Sequence, residues 1–169
     1  MKVYKNVHEI IGHTPLVEIT SFPLPKGVRV LAKLEYLNPG GSIKDRLGLA
    51  LLEDAISSGK LPEGGTLIEP TAGNTGIGLA LAAVGKNIQV IFCVPEKFSQ
   101  EKQAIMKALG AKIIHTPTVK GMKGAIEKAE ELLKQIPNSY TPAQFSNPAN
   151  PKAYYNTLGP EIWEDTDGT

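Results

Sequence analysis

The sequence predicts an α/β protein, a parallel, twisted sheet with flanking helices. Three observations predict it. Apolar stretches of strand length alternate with segments of helical period along the 169 residues. The stretch from Ile88 to Val94 is almost continuously apolar, as in a strand covered on both faces. Glycines stand just beyond several helical segments, where a chain leaves a helix. Alternation of this kind implies βαβ units with right-handed crossovers.

The elements follow in order. Asn6 to Ile11 reads as a short helix ended by Gly12, and Leu16 to Thr20 as a strand. A Pro-rich loop, 22–27, leads to a second strand from Val28 to Leu34. The turn Asn38-Pro39-Gly40-Gly41 is followed by Ser42, a good helix N-cap. Leu47, Leu49, Leu51, Leu52, Ala55 and Ile56 then recur at helical spacing, and Gly59 suits the C-terminal cap. Thr66 to Glu69 is a short strand, Thr75 to Val84 a helix stopped by Gly85, and Ile88 to Val94 the buried strand. Ser99 caps a helix that runs to Leu109 and stops at Gly110; Lys112 to His115 is a strand. Gly121 to Gln135 is an amphipathic helix with a solvated charged face. Tyr140 and Thr141 lead into a Pro- and Asn-rich loop. A last helix spans Asn150 to Trp163, interrupted at Pro160, and 164–169 is a polar linker.

Composition bounds the function. Hydrophobic content of 41% and charged content of 21% describe an ordinary globular protein able to bury a core. A net charge of +1 gives no reason to expect nucleic acid or an anionic membrane as partner. No apolar run is long enough to span a bilayer, and Met1 to Lys5 lacks the apolar core of a signal peptide. The expected location is cytoplasmic. A single cysteine, Cys93, excludes an internal disulfide and reads as an inert core thiol. His8, His13 and His115 have no metal-ligand spacing.

Two stretches carry candidate chemistry. Lys44 falls in the first turn of a helix, the wrong end for a cation. A lysine that attacks a carbonyl must do so as the free amine, so this placement suits a nucleophile or base; the plain alternative is a solvated lysine. Thr71 to Thr75 lies at a strand-to-helix junction. Gly73 lets backbone approach a ligand, the free N–H groups of the helix start favour an anion, and threonine hydroxyls and the Asn74 amide add donors. A carboxylate fits; the plain alternative is an N-terminal cap. Gly73 to Gly78 reverses the G-x-G-x-x-G order, so a dinucleotide fingerprint is not indicated. Asp45 and Arg46 read as structural, pairing with each other or with backbone, and Tyr154 and Tyr155 as packing residues.

Four segments carry a family resemblance: Ile11-Gly12-His13-Thr14-Pro15-Leu16, Asn38 to Arg46, Glu69 to Gly78, and Gln144 to Pro151. In this order they resemble the cysteine synthase family of fold-type II pyridoxal-phosphate enzymes, and the likeness extends over essentially the whole chain. The resemblance implies that Lys44 holds pyridoxal 5'-phosphate, yields it to the substrate amine, and then removes the Cα proton. It implies that Thr71, Ala72, Gly73, Asn74 and Thr75 bind the substrate carboxylate, that Asn74 also meets the cofactor's ring oxygen, and that Gln144 closes over the carboxylate. The implied reaction is β-replacement on O-acetylserine, with acetate leaving and sulfide or a thiol adding. A homodimer is implied, and serine acetyltransferase is a candidate partner.

Ala72 departs from most cysteine synthases, which carry serine there. A hydroxyl donor worth on the order of 1 kcal/mol is lost, and the site widens. Alanine after Glu69-Pro70 resembles the bacterial subgroup that joins O-acetylserine to homocysteine to make cystathionine. Serine/threonine dehydration fits less well around the lysine and the carboxylate turn. The resemblance further implies that 1–33 packs on a larger domain, that 34–144 is a small mobile domain, and that 145–169 begins the larger one. The glycine-rich phosphate loop that follows in the family does not occur in this sequence, so the chain reads as the front half of a longer enzyme. The rival reading is a catalytically inactive fragment that binds partners or dimerises.

Overall fold

The structure is a computed structural model and describes residues 3–169. Strands β1 (Leu16–Glu18) and β2 (Leu31–Lys33) pair antiparallel in a small ribbon of their own. The expected parallel arrangement is thus limited to the second sheet, and both ribbon strands are shorter than their β-favouring stretches. Helix α1 (Lys44–Ser57) follows, then β3 (Thr66–Pro70), α2 (Asn74–Ala83), β4 (Gln89–Pro95), α3 (Gln100–Ala108), β5 (Lys112–Thr116), α4 (Gly121–Gln135) and β6 (Ser139–Tyr140). The chain ends on α5 (Ala149–Asn156) and α6 (Leu158–Asp165).

The four-stranded sheet is parallel throughout, in the order β5-β4-β3-β6. Side chains alternate across it, as a strand period of two requires. Leu67, Val90, Phe92 and Val94 face a core shared with α1, α2 and Met106 of α3. Ile68, Ile91 and Cys93 face the opposite core, closed by Ala125, Ala129 and Leu132 of α4. That double burial explains the unbroken apolar run in β4. Strands β3, β4 and β5 step outward, and β6 then returns to the far side of β3. The order therefore reverses between β3 and β6, and at such a switch point α/β folds bind ligands beyond the strands' carboxyl ends.

One local expectation holds and four are corrected. Helix α1 begins at Lys44, and Ser42 caps it by accepting the Lys44 N–H at 3.1 Å. Ser99 does not cap α3 with its side chain: its backbone is left-handed (φ +21°), outside the extended region a cap needs. Gln103 instead donates to the Phe98 carbonyl at 2.5 Å. Tyr140, read as the edge of a loop, pairs with Leu67 as β6. The last helix breaks at Thr157 rather than at Pro160, which sits in the first turn of α6 where its missing N–H costs nothing. The polar tail is partly helical too, since α6 runs to Asp165, which pairs with Lys33 at 3.0 Å.

Candidate functional site

A cavity of about 790 Å³ opens beyond the carboxyl ends of β3 and β6. Lys44, Thr71, Ala72, Gly73, Thr75 and Gln144 line it. These residues come from three separate places in the sequence, and the fold brings them together. Asn74 opens α2 but does not line the cavity. Met122, Ile126 and Leu133 of α4 supply an apolar wall, with Phe145 beside them.

Each piece is held for a local reason. Lys44 stands at the start of α1, which follows the Gly-Gly turn. Its amine lies 3.1 Å from the Tyr154 hydroxyl and 5.6 Å from the centroid of that ring. Sequence reasoning took Tyr154 as packing alone. It does pack on the core from α5, but its hydroxyl also meets the lysine 110 residues away in sequence, and no local signal announces that contact. Tyr155 is 82% exposed. Helix α2 has no side chain capping its N-terminus, so its first N–H groups stay available to an anion. The Thr75 hydroxyl donates to Gln144 Oε1 at 2.8 Å and joins the two loops at the switch point.

Outside the lining of this cavity, the charges around Arg46 are fixed. Arg46 does not pair with Asp45. Its guanidinium bonds Glu35 at 2.8 Å and Glu161 at 2.5 Å, with its side chain 1% exposed. Burial would raise the Glu161 carboxyl, but hydrogen bonds from Arg46, the His13 N–H and Lys33 hold it at about 2. The network ties α1 and α6 to the chain around Gly12 to Thr14. Asp45 accepts the Gly40 N–H at 2.5 Å, and its other oxygen has no partner. Burial pushes Asp45 up to about 6 against the effect of that bond.

Other residues stand apart. His8 contacts the Leu81 carbonyl at 3.0 Å and His115 the Gln103 side chain at 2.7 Å. Among the described residues no group of His, Cys, Asp and Glu is placed to hold a metal ion. Cys93 is buried, and burial pushes its thiol up to about 11, so it is an inert core group. No helix of the described residues is long and apolar enough to cross a membrane.

The profile of the family described as "Pyridoxal-phosphate dependent enzyme" matches residues 7–169. The chain belongs to this family. Its cofactor is pyridoxal phosphate, and the residues present fit one. A lysine amine and an uncapped helix N-terminus share a cavity within the usual range for ligand sites. The O-acetylserine dependent cystathionine beta-synthase of Bacillus subtilis is 60% identical over 168 residues, covering 99% of this chain and 55% of that protein. A cysteine synthase of Helicobacter pylori is 53% identical over 167 residues, covering 98% and 55%. The crystal structure of O-acetylserine dependent cystathionine beta-synthase from Helicobacter pylori superposes with a TM-score of 0.93 at 52% identity, covering 99% of this chain and 55% of that one. The pyridoxal-phosphate enzyme chain therefore has the fold-type II architecture, and it spans about half the length of the curated relatives it matches.

Proposed function

We propose that the full protein carrying this chain catalyses β-replacement on O-acetylserine, with acetate as leaving group and sulfide or homocysteine as acceptor. The observation that carries the reading is the meeting of Lys44, the turn opening α2, and Gln144 in one cavity at the switch point. The names of the relatives support it.

Lys44 would hold the cofactor through its amine, and the same amine, once free, would accept the Cα proton. When bound, pyridoxal phosphate supplies a sink for the electrons left at Cα. Thr71, Ala72, Gly73, Asn74 and Thr75 bind the substrate carboxylate through the α2 N–H groups and their side-chain donors. Asn74, which opens α2 at the same turn, would meet the cofactor ring. Gln144 closes over the carboxylate. The apolar α4 wall keeps water from the reacting carbon. In this reading residues 34–144 move as a small domain against a larger one, the enzyme is a cytoplasmic homodimer, and serine acetyltransferase is its partner protein.

The test is borohydride reduction in the presence of pyridoxal phosphate, followed by peptide mass analysis. Label on the Lys44 peptide, a yellow colour before reduction, and loss of both in Lys44→Ala are expected. Turnover by the full-length Lys44→Ala protein equal to that of the wild type would sink the mechanism. A chain that stays colourless with added cofactor would support a binding or dimerisation role for this segment alone.

A further inference from the structure

We propose that Glu69 is the positioning residue of the carboxylate site, holding the segment after β6 so that Gln144 faces the turn that opens α2. This deepens the functional reading above and rests on it.

Glu69 lies one residue from the end of β3 and is 2% exposed. A carboxylate so far from water must find its donors in the protein. It finds them in one short segment. Oε2 accepts the Thr141 hydroxyl at 2.9 Å and the Ala143 N–H at 3.3 Å. The amides of Gln144, the next residue, favour the charged form of the same carboxyl group. Burial pushes Glu69 up, and these donors pull against it. A buried acid whose donors come from a single loop fastens that loop.

The loop needs fastening. Ala143 has φ +48°, a left-handed conformation unfavourable for a non-glycine residue that persists only where its surroundings over-determine it. Glu69 holds its N–H. Its carbonyl accepts the N–H groups of Ser146 at 3.0 Å and Asn147 at 3.1 Å. The next residue is Gln144, whose Oε1 accepts from Thr75. Glu69 and Thr75 belong to one continuous β3-to-α2 unit. The acid therefore ties Gln144 to the same rigid frame that carries the anion-binding turn, and Glu69, Thr71, Thr75, Thr141, Ala143 and Gln144 share the cavity wall.

The test uses the full-length, cofactor-loaded protein, titrated with L-alanine and with ethylamine and followed by the visible absorbance of the bound cofactor. Both ligands present an amine, only alanine carries a carboxylate, and neither has a leaving group, so turnover is not needed. The wild type is expected to prefer L-alanine. Glu69→Gln keeps the shape but loses the charge that gathers the loop's donors. It should lower that preference about 10-fold, the loss of one charge-assisted hydrogen bond, with ethylamine affinity unchanged. Amide exchange at Ala143 and Gln144 should quicken. Thr141→Val removes one donor and leaves Glu69 in place, and should shift the preference the same way by a smaller factor even if Glu69→Gln does not fold. A preference unchanged in both variants overturns the proposal. So does an equal loss for both ligands, which would mark Glu69 as structural only. A wild type without preference for L-alanine would overturn the carboxylate site itself, and this inference with it.

Discussion

Gly78 lies against the backbone carbonyl of Lys44: a β-carbon on Gly78 would overlap that carbonyl, and one on Gly48 would overlap the backbone of Gly78. Helices α1 and α2 therefore cross with their backbones in contact, and this crossing sets how far Lys44 stands from the α2 N-terminus. Gly78→Ala and Gly48→Ala should each force the helices apart. Overpacking of this kind costs about 1–3 kcal/mol, and each kcal/mol lowers Tm by about 2–4 °C in a chain of this size. Calorimetry of the two variants checks this; an unchanged Tm in both would mean that the crossing relaxes at no cost.

Gly73 behaves differently. A β-carbon there meets nothing within 4 Å, and its backbone is extended. Gly73→Ala should leave Tm unchanged, within the roughly 0.5 kcal/mol typical of unstrained sites. The methyl group would instead stand where a bound carboxylate has to approach the turn. The KM for O-acetylserine in the full-length protein should rise while stability does not, and a fall in Tm with unchanged KM would contradict the assignment.

Two carboxyl groups set opposite pH dependences. The folded chain raises Asp45 to about 6 from an ordinary value of 3.8, so between those pH values it binds more protons than the unfolded chain. Stability from this group is highest at low pH and falls as pH rises through that window, on the order of 1–3 kcal/mol in all. Glu161 is held at about 2, and its contribution is present above the usual carboxylate range and lost as pH falls through the folded value. Asp45→Asn should therefore gain stability relative to wild type at pH ~7 but not at pH ~4. Melting curves of both proteins across this range decide it, since a Tm difference independent of pH would rule out the Asp45 titration.

Ala72 lines the cavity where a serine would add a hydroxyl. If the methyl group makes room for a bulky thiol, Ala72→Ser should penalise homocysteine more than sulfide. Volume changes of this size shift specificity by about 10–200-fold. The ratio of kcat/KM for the two acceptors in the full-length protein, with and without Ala72→Ser, is the measurement. An unchanged ratio would mean that Ala72 does not select the acceptor.

The sequence by itself determined what depends on near neighbours. Period and glycine punctuation placed α1, α2 and α4 closely, because helix formation responds to residues three and four apart. The continuous apolar run placed β4 between two layers. The Gly-Gly turn put Lys44 at a helix start, and Thr71 to Thr75 were placed at a strand-to-helix junction. Only the tertiary structure decided the rest. It set the strand order that reverses beside β3 and the antiparallel ribbon. It broke the last helix at Thr157, where Thr157 bonds back to the Ala153 carbonyl at 2.6 Å. It brought Tyr154 to Lys44, Glu161 to Arg46, and Glu69 to the loop before Gln144. These partners lie 72 to 115 residues apart in sequence. No periodicity encodes such pairs, because each depends on how whole layers pack and on which buried polar group is left needing a partner.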